Sequence, residues 1–154
     1  MTSGIAEMRY FEDFKVGEIF EIGTKKVTKA EMITFAEAFD PQPFHISEEK
    51  ARDSIFGGLI ASGWHTCAIF MRLYVDNFLT QTISLGSPGL DHIRWLKPVF
   101  PNDSLSGRVT ILETKPSSNR PGVGSIKIKS EMLNQSGEVV MQLEGTGLFG
   151  KRGS

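Results

Sequence analysis

The sequence predicts an α+β fold, one curled antiparallel sheet of about five strands wrapped around a long buried helix. Two patterns predict it. Apolar and polar residues alternate in one segment near the start and in four segments after Gly86, with helical spacing only between them. Residues 63–79 also form a helix apolar nearly all round, carrying Trp64, Ile69, Phe70, Leu73, Tyr74 and Phe78. Such a helix has to be enclosed by protein.

The elements follow in order. Phe20 to Val27 reads as the first strand. Thr28 stands three residues before Glu31, a capping-box pattern, and Met32, Phe35, Ala36 and Phe39 place an amphipathic helix over residues 30–39. Asp40-Pro41-Gln42-Pro43 ends that helix. Ser47 followed by Glu48 and Glu49 opens a second, short one. Ser62 caps the long helix. The later strands centre on Ile93 to Leu96, Leu105 to Ile111, Ile126 to Met132 and Val139 to Leu143, separated by turn-forming residues at 116–124 and 134–137.

Composition excludes several classes. A chain of 154 residues, 40% hydrophobic and 23% charged, is predicted to fold as a single domain over residues 1–154. Seventeen basic against eighteen acidic residues give a net charge of −1, so no nucleic-acid partner is expected. The lone Cys67 makes neither a disulfide framework nor a multi-thiolate metal site. Met1 to Tyr10 carries no apolar leader core, and Arg72 and Asp76 interrupt the longest apolar stretch. A cytoplasmic protein without a membrane partner is expected.

Gly145 to Gly150 spells G-x-G-x-x-G, yet only four residues follow it. The helix a dinucleotide site requires has no room, so these glycines are expected to bend a terminal strand. His65 and His92 are expected to be packed or surface residues, and Cys67 a core thiol. Asp40 and His45 differ. Asp40 lies at a helix C-terminus, where the dipole disfavours a carboxylate, and two prolines stiffen the link to His45. The residues alone leave two readings open: an Asp-Pro turn start, or an acid–imidazole pair held for proton transfer. Ser62-Gly63 is similarly a plain helix cap, or a cap whose glycine lets a ligand oxygen approach the free N–H groups of the helix start.

The segments Asp40-Pro41-Gln42-Pro43-Phe44-His45 and Gly58-Leu59-Ile60-Ala61-Ser62-Gly63-Trp64 resemble the MaoC-like dehydratases, or R-specific enoyl-CoA hydratases. Tyr10 to Gly17, Arg94 to Val99 and Pro101-Asn102-Asp103 are also similar to that family, so the resemblance spans nearly the whole chain. It implies one hotdog domain, a homodimer with its pocket near the subunit boundary, and an acyl-CoA or acyl-carrier thioester as substrate. It implies Asp40 and His45 as the catalytic pair, and Gly63 with Ser62 as the oxyanion and substrate-binding element. The implied reaction is reversible hydration of a trans-2-enoyl thioester to an (R)-3-hydroxyacyl thioester, with no cofactor beyond the CoA of the substrate. A hotdog acyl-CoA thioesterase and a non-catalytic acyl-CoA binding protein are the alternatives the fold also allows. The family form commonly has Gly before the Asp and Asn two residues after it. Here they are Phe39 and Gln42.

Overall fold

In the computed structural model, which describes residues 8–153, β1 (Ile19–Lys26) is followed by α1 (Lys29–Phe39), α2 (Pro43–Ile46), α3 (Glu48–Arg52) and α4 (Gly63–Asn77). Four strands complete the chain: β2 (Gly89–Trp95), β3 (Ser104–Pro116), β4 (Val123–Leu133) and β5 (Val139–Gly150). They form one antiparallel sheet of five strands in the order β1-β3-β4-β5-β2. The predicted α+β architecture is therefore present, with strands β3 to β5 longer than the alternation alone indicated. Residues 1–7, most of the segment read for a leader, lie outside the described part. Among the described residues no helix is long and apolar enough to cross a membrane.

Alternation builds the inner face of the sheet. Leu105, Val109 and Ile111 of β3 and Ile126, Ile128 and Met132 of β4 are buried, with Gly107 and Ser130 on the same face, while the residues that alternate with them are partly exposed. Gly145 and Gly147 lie within β5 as expected, not in a nucleotide loop. A bulge where β5 pairs with the end of β4 leaves Val140 as an extra residue. Its carbonyl accepts from Leu96 N at 2.8 Å and from Lys97 N at 3.3 Å, which turns the chain after β2 across the sheet.

The core lies between this sheet and α4, which buries Ile69, Phe70 and Leu73. Asn77 Nδ2 donates to Ile22 O at 2.7 Å and ties the end of the helix to β1. α4 stops at Asn77, two residues short of the predicted end, and a 3-10 turn over Leu79–Gln81 follows. The expected enclosure is one-sided in the single chain: Trp64 is 57% and Met71 48% exposed, so one apolar stripe of α4 is uncovered.

Candidate active site

Three local structures converge on one cavity. The first is the end of α1. Its start is the predicted capping box: Thr28 Oγ1 accepts from Glu31 N at 3.2 Å, and Glu31 Oε1 accepts from Thr28 N at 3.0 Å. Buried Met32 and Ala36 fix which way the helix lies. It ends at Asp40, whose N–H still donates to Ala36 O at 2.7 Å while its backbone leaves helical space (φ −153°, ψ 66°), as a residue before proline does.

The second is the short link that follows. Pro43 sits at the first position of α2, so the expected stiff loop closes into one helical turn. That turn carries His45 inward, with its side chain 6% exposed.

The third is the start of α4. Ser62 caps it, its Oγ accepting from Trp64 N at 3.2 Å. No hydrogen bond runs from the Gly63 N–H to another described residue, as expected for the first amide of a helix. A glycine is required here, because a Cβ would fall 2.4 Å from Trp95 Cε2. The same indole donates from Nε1 to Gly63 O at 3.0 Å, pinning the first turn of α4 to β2.

Asp40 and His45 meet, with Oδ2 3.3 Å from Nε2. His45 Nδ1 lies 2.8 Å from Ile60 O. A carbonyl can only accept, so Nδ1 carries the hydrogen and Nε2 of a neutral ring presents its lone pair toward Asp40. Asp40 is held on both oxygens: Gln42 Nε2 donates to Oδ1 at 2.8 Å, and Ser62 Oγ donates to Oδ2 at 2.7 Å. Burial pushes the Asp40 carboxyl up, but the Gln42 and Ser62 hydrogen bonds and the nearby His45 outweigh it and hold it below the ordinary carboxylate range.

Asp40, His45 and Gly63 line one cavity of about 470 Å³, walled by Phe44, Phe56 and Trp95 among others. The structure thus gathers Asp40, His45, Ser62 and Gly63 in one place. The Ser62 hydroxyl faces Asp40 and gives its hydrogen to that carboxylate. Gln42, a departure from the commoner family residue, turns its amide onto Asp40. The other departure, Phe39, packs on Phe35 at 5.2 Å between ring centres yet stays 76% exposed, leaving the cavity uncovered.

Sequence reasoning missed the Trp95 and Ile60 contacts. Both join residues far apart in the chain, and a backbone carbonyl leaves no sequence signal at all. His65 is buried as expected and stacks on Phe35 at 4.8 Å. Cys67 is half-buried, with Sγ 3.5 Å from Met141 Sδ.

Comparison with known proteins bears on this arrangement. The sequence pattern of the family described as MaoC like domain matches residues 14–131. The solved structure of a MaoC-like dehydratase from Rhodospirillum rubrum is 40% identical, with a TM-score of 0.86 over 95% of this chain and 99% of that one. The uncharacterized protein YdeM of Bacillus subtilis is 33% identical over 119 residues, 77% of this chain and 84% of YdeM. The mesaconyl-CoA hydratase of Cereibacter sphaeroides is 30% identical over 142 residues, 86% of this chain but 38% of that protein. With five antiparallel strands curled on one long helix and a family match over most of its length, the chain belongs to the MaoC-like dehydratase family and has the hotdog fold.

Proposed function

We propose that the protein is a hydro-lyase that adds water reversibly to a trans-2-enoyl-CoA, giving the (R)-3-hydroxyacyl-CoA. The observation that carries this reading is the meeting of Asp40 Oδ2 and His45 Nε2 at 3.3 Å in one cavity with the Gly63 N–H, which has no hydrogen-bond partner among the described residues. The two atoms are close enough for one water to lie within reach of both. His45, its Nδ1–H fixed by Ile60, is the base that takes a proton as the water oxygen bonds to C3. Asp40 stays anionic, orients the water and stabilises the imidazolium that forms. Electron density moves through C2 to the thioester oxygen, where the Gly63 N–H and the positive end of α4 meet the developing charge. The proton held by the pair returns to C2, the carbonyl reforms, and the site ends as it began.

The chemistry asks for an acid–base pair and an oxyanion donor, and for no cofactor beyond the CoA of the substrate. Positioned acid–base groups contribute ~10²–10⁴ in rate, and an oxyanion donor ~10²–10³. The relative named as a mesaconyl-CoA hydratase supports a CoA thioester as the carrier. The setting proposed is cytoplasmic, which suits the free Cys67 thiol. We further propose a homodimer, whose second copy covers the free edge of β2 and the exposed Trp95, Leu96 and Phe100 beside the cavity.

The test is incubation with crotonyl-CoA, followed by loss of enoyl absorbance and by chromatography. Formation of (R)-3-hydroxybutyryl-CoA supports the reading. Release of free CoA thiol without hydration overturns it in favour of a thioesterase.

A further inference from the structure

The cavity that holds Asp40 and His45 is also bordered by Thr66, from the first turn of α4. Thr66 stands three residues after Gly63 and four after Ser62, and its N–H donates to Ser62 O at 3.2 Å. Residues at that spacing share one face of a helix, and a helical Cβ leans toward the helix start. Thr66 therefore shares a face with Gly63 and with Ser62, whose hydroxyl reaches Asp40.

Other polar side chains of the same wall are engaged. Gln42 donates to Asp40, Lys97 Nζ lies 3.0 Å from Glu138 Oε2, and the Trp95 indole donates to Gly63 O. Thr66 is 2% exposed, and no hydrogen bond runs from its hydroxyl to another described residue. Yet that hydroxyl is not sealed in the core. Among the described residues, His65 Nδ1 is the side-chain atom that is both sealed off and without a hydrogen-bond partner. The Thr66 oxygen thus keeps an opening, and the space that Thr66 borders is the cavity. A buried hydroxyl without a partner costs stability, and valine has the same shape without that cost. Folding alone does not call for the hydroxyl.

We propose that the Thr66 hydroxyl donates to the thioester carbonyl oxygen beside the Gly63 N–H, which makes Thr66 a further catalytic residue. The inference rests on the acyl-thioester reading above and deepens it by adding a side-chain donor to the oxyanion site. As C3 is attacked, charge moves onto the carbonyl oxygen and both hydrogen bonds strengthen. The hydroxyl keeps its proton throughout, so His45 and Asp40 remain the groups that move protons. Both donors belong to one helical turn, which holds them in place before the charge develops.

Two pairs of proteins differ by that hydroxyl: wild type against Thr66→Val, and Thr66→Ser against Thr66→Ala. Thermal melts check each fold, and either pair decides if a member of the other fails to fold. Crotonyl-CoA gives kcat and KM. Infrared difference spectroscopy reads the carbonyl stretch of bound butyryl-CoA, isotope-labelled at the thioester carbon, which has no double bond to hydrate. Loss of the hydroxyl is expected to lower kcat by ~10²–10³, to leave KM little changed, and to move the carbonyl band to higher frequency. Thr66→Ser keeps both rate and band near wild type. A band that is the same with and without the hydroxyl overturns the proposal whatever the rate does, because a structural hydroxyl does not touch the carbonyl. A Thr66→Ser variant as slow as Thr66→Ala overturns it too. If wild type hydrates no enoyl-CoA but the band depends on the hydroxyl, the hydratase reading fails and the donor stands. If hydration proceeds and the band ignores the hydroxyl, the donor fails and the hydratase reading stands.

Discussion

Asp40 and His45 sit five positions apart, yet their meeting depends on three other residues. Ile60 fixes which ring nitrogen of His45 is free, and Gln42 and Ser62 hold the Asp40 carboxylate. If the pair shares one water, His45→Ala or Asp40→Asn lowers kcat by ~10²–10⁴. The double variant is then scarcely worse than the poorer single one, because groups acting as a unit are not additive. Thermal melts check that each variant folds. An active Asp40→Asn enzyme would reduce Asp40 to a turn former. Ser62 gives a pH test. Its hydrogen bond helps to hold the Asp40 carboxyl low, so Ser62→Ala raises that pKa, read by NMR titration of the carboxyl signal. Gln42→Ala shifts the carboxyl in the same direction. A structural cap alone would lower stability and leave the carboxyl titration in place.

Among the elements, α1 and α4 bring the site together and their ends carry its groups. Glu31 in the α1 capping box is held at about 2 by the Lys25 hydrogen bond and by the Thr28 contacts, against an ordinary 4.5. A folded value below the unfolded one stabilises the protein above pH 4.5, and the contribution fades as pH falls from 4.5 to about 2. Thr28→Ala is expected to cost about 1 kcal/mol by removing the cap, read by denaturant titration at neutral pH.

His65 joins the same two helices through its stack on Phe35, and its Nδ1 is buried without a hydrogen-bond partner among the described residues. Burial lowers its pKa from 6.5, with Glu31 opposing and Lys25 assisting. Its contribution to stability is therefore complete above pH 6.5 and is lost as pH falls below that value. His65→Leu flattens the stability profile of that region in acid melts. At the start of α4, Gly63→Ala drives a Cβ into the Trp95 indole at 2.4 Å. It is expected to destabilise by about 1–3 kcal/mol through overpacking and to cut activity by displacing the N–H.

For the whole molecule, the strand order places β1 and β2 at the two edges of the sheet. Beside β2 lie Trp95 at 45%, Leu96 at 51% and Phe100 at 36% exposure. An edge with that much apolar surface invites pairing. Light scattering at micromolar concentration is expected to give twice the 17.1 kDa of one chain. A mass of 17.1 kDa would leave this face uncovered and overturn the dimer.

The amino-acid sequence by itself determined the local structure, because local structure follows from neighbours in the chain. Thr28 with Glu31 set the start of α1, Pro41 its end, Ser62 the start of α4, and period-two alternation the strands. It also placed Asp40 and His45 on one short stiff link, close enough to single out as a pair. Only the tertiary structure decided what that pair can do. The free nitrogen of His45 depends on the Ile60 carbonyl, and the position of Gly63 depends on Trp95, thirty-two residues away. The open face of α4 was hidden for the same reason. Apolar residues all round a helix demand cover, but their order along the chain does not say whether a strand, a substrate or another copy supplies it. That is settled by which surfaces the sheet can reach once it has curled, and the sheet closes on Ile69, Phe70 and Leu73 while leaving Trp64 and Met71 open.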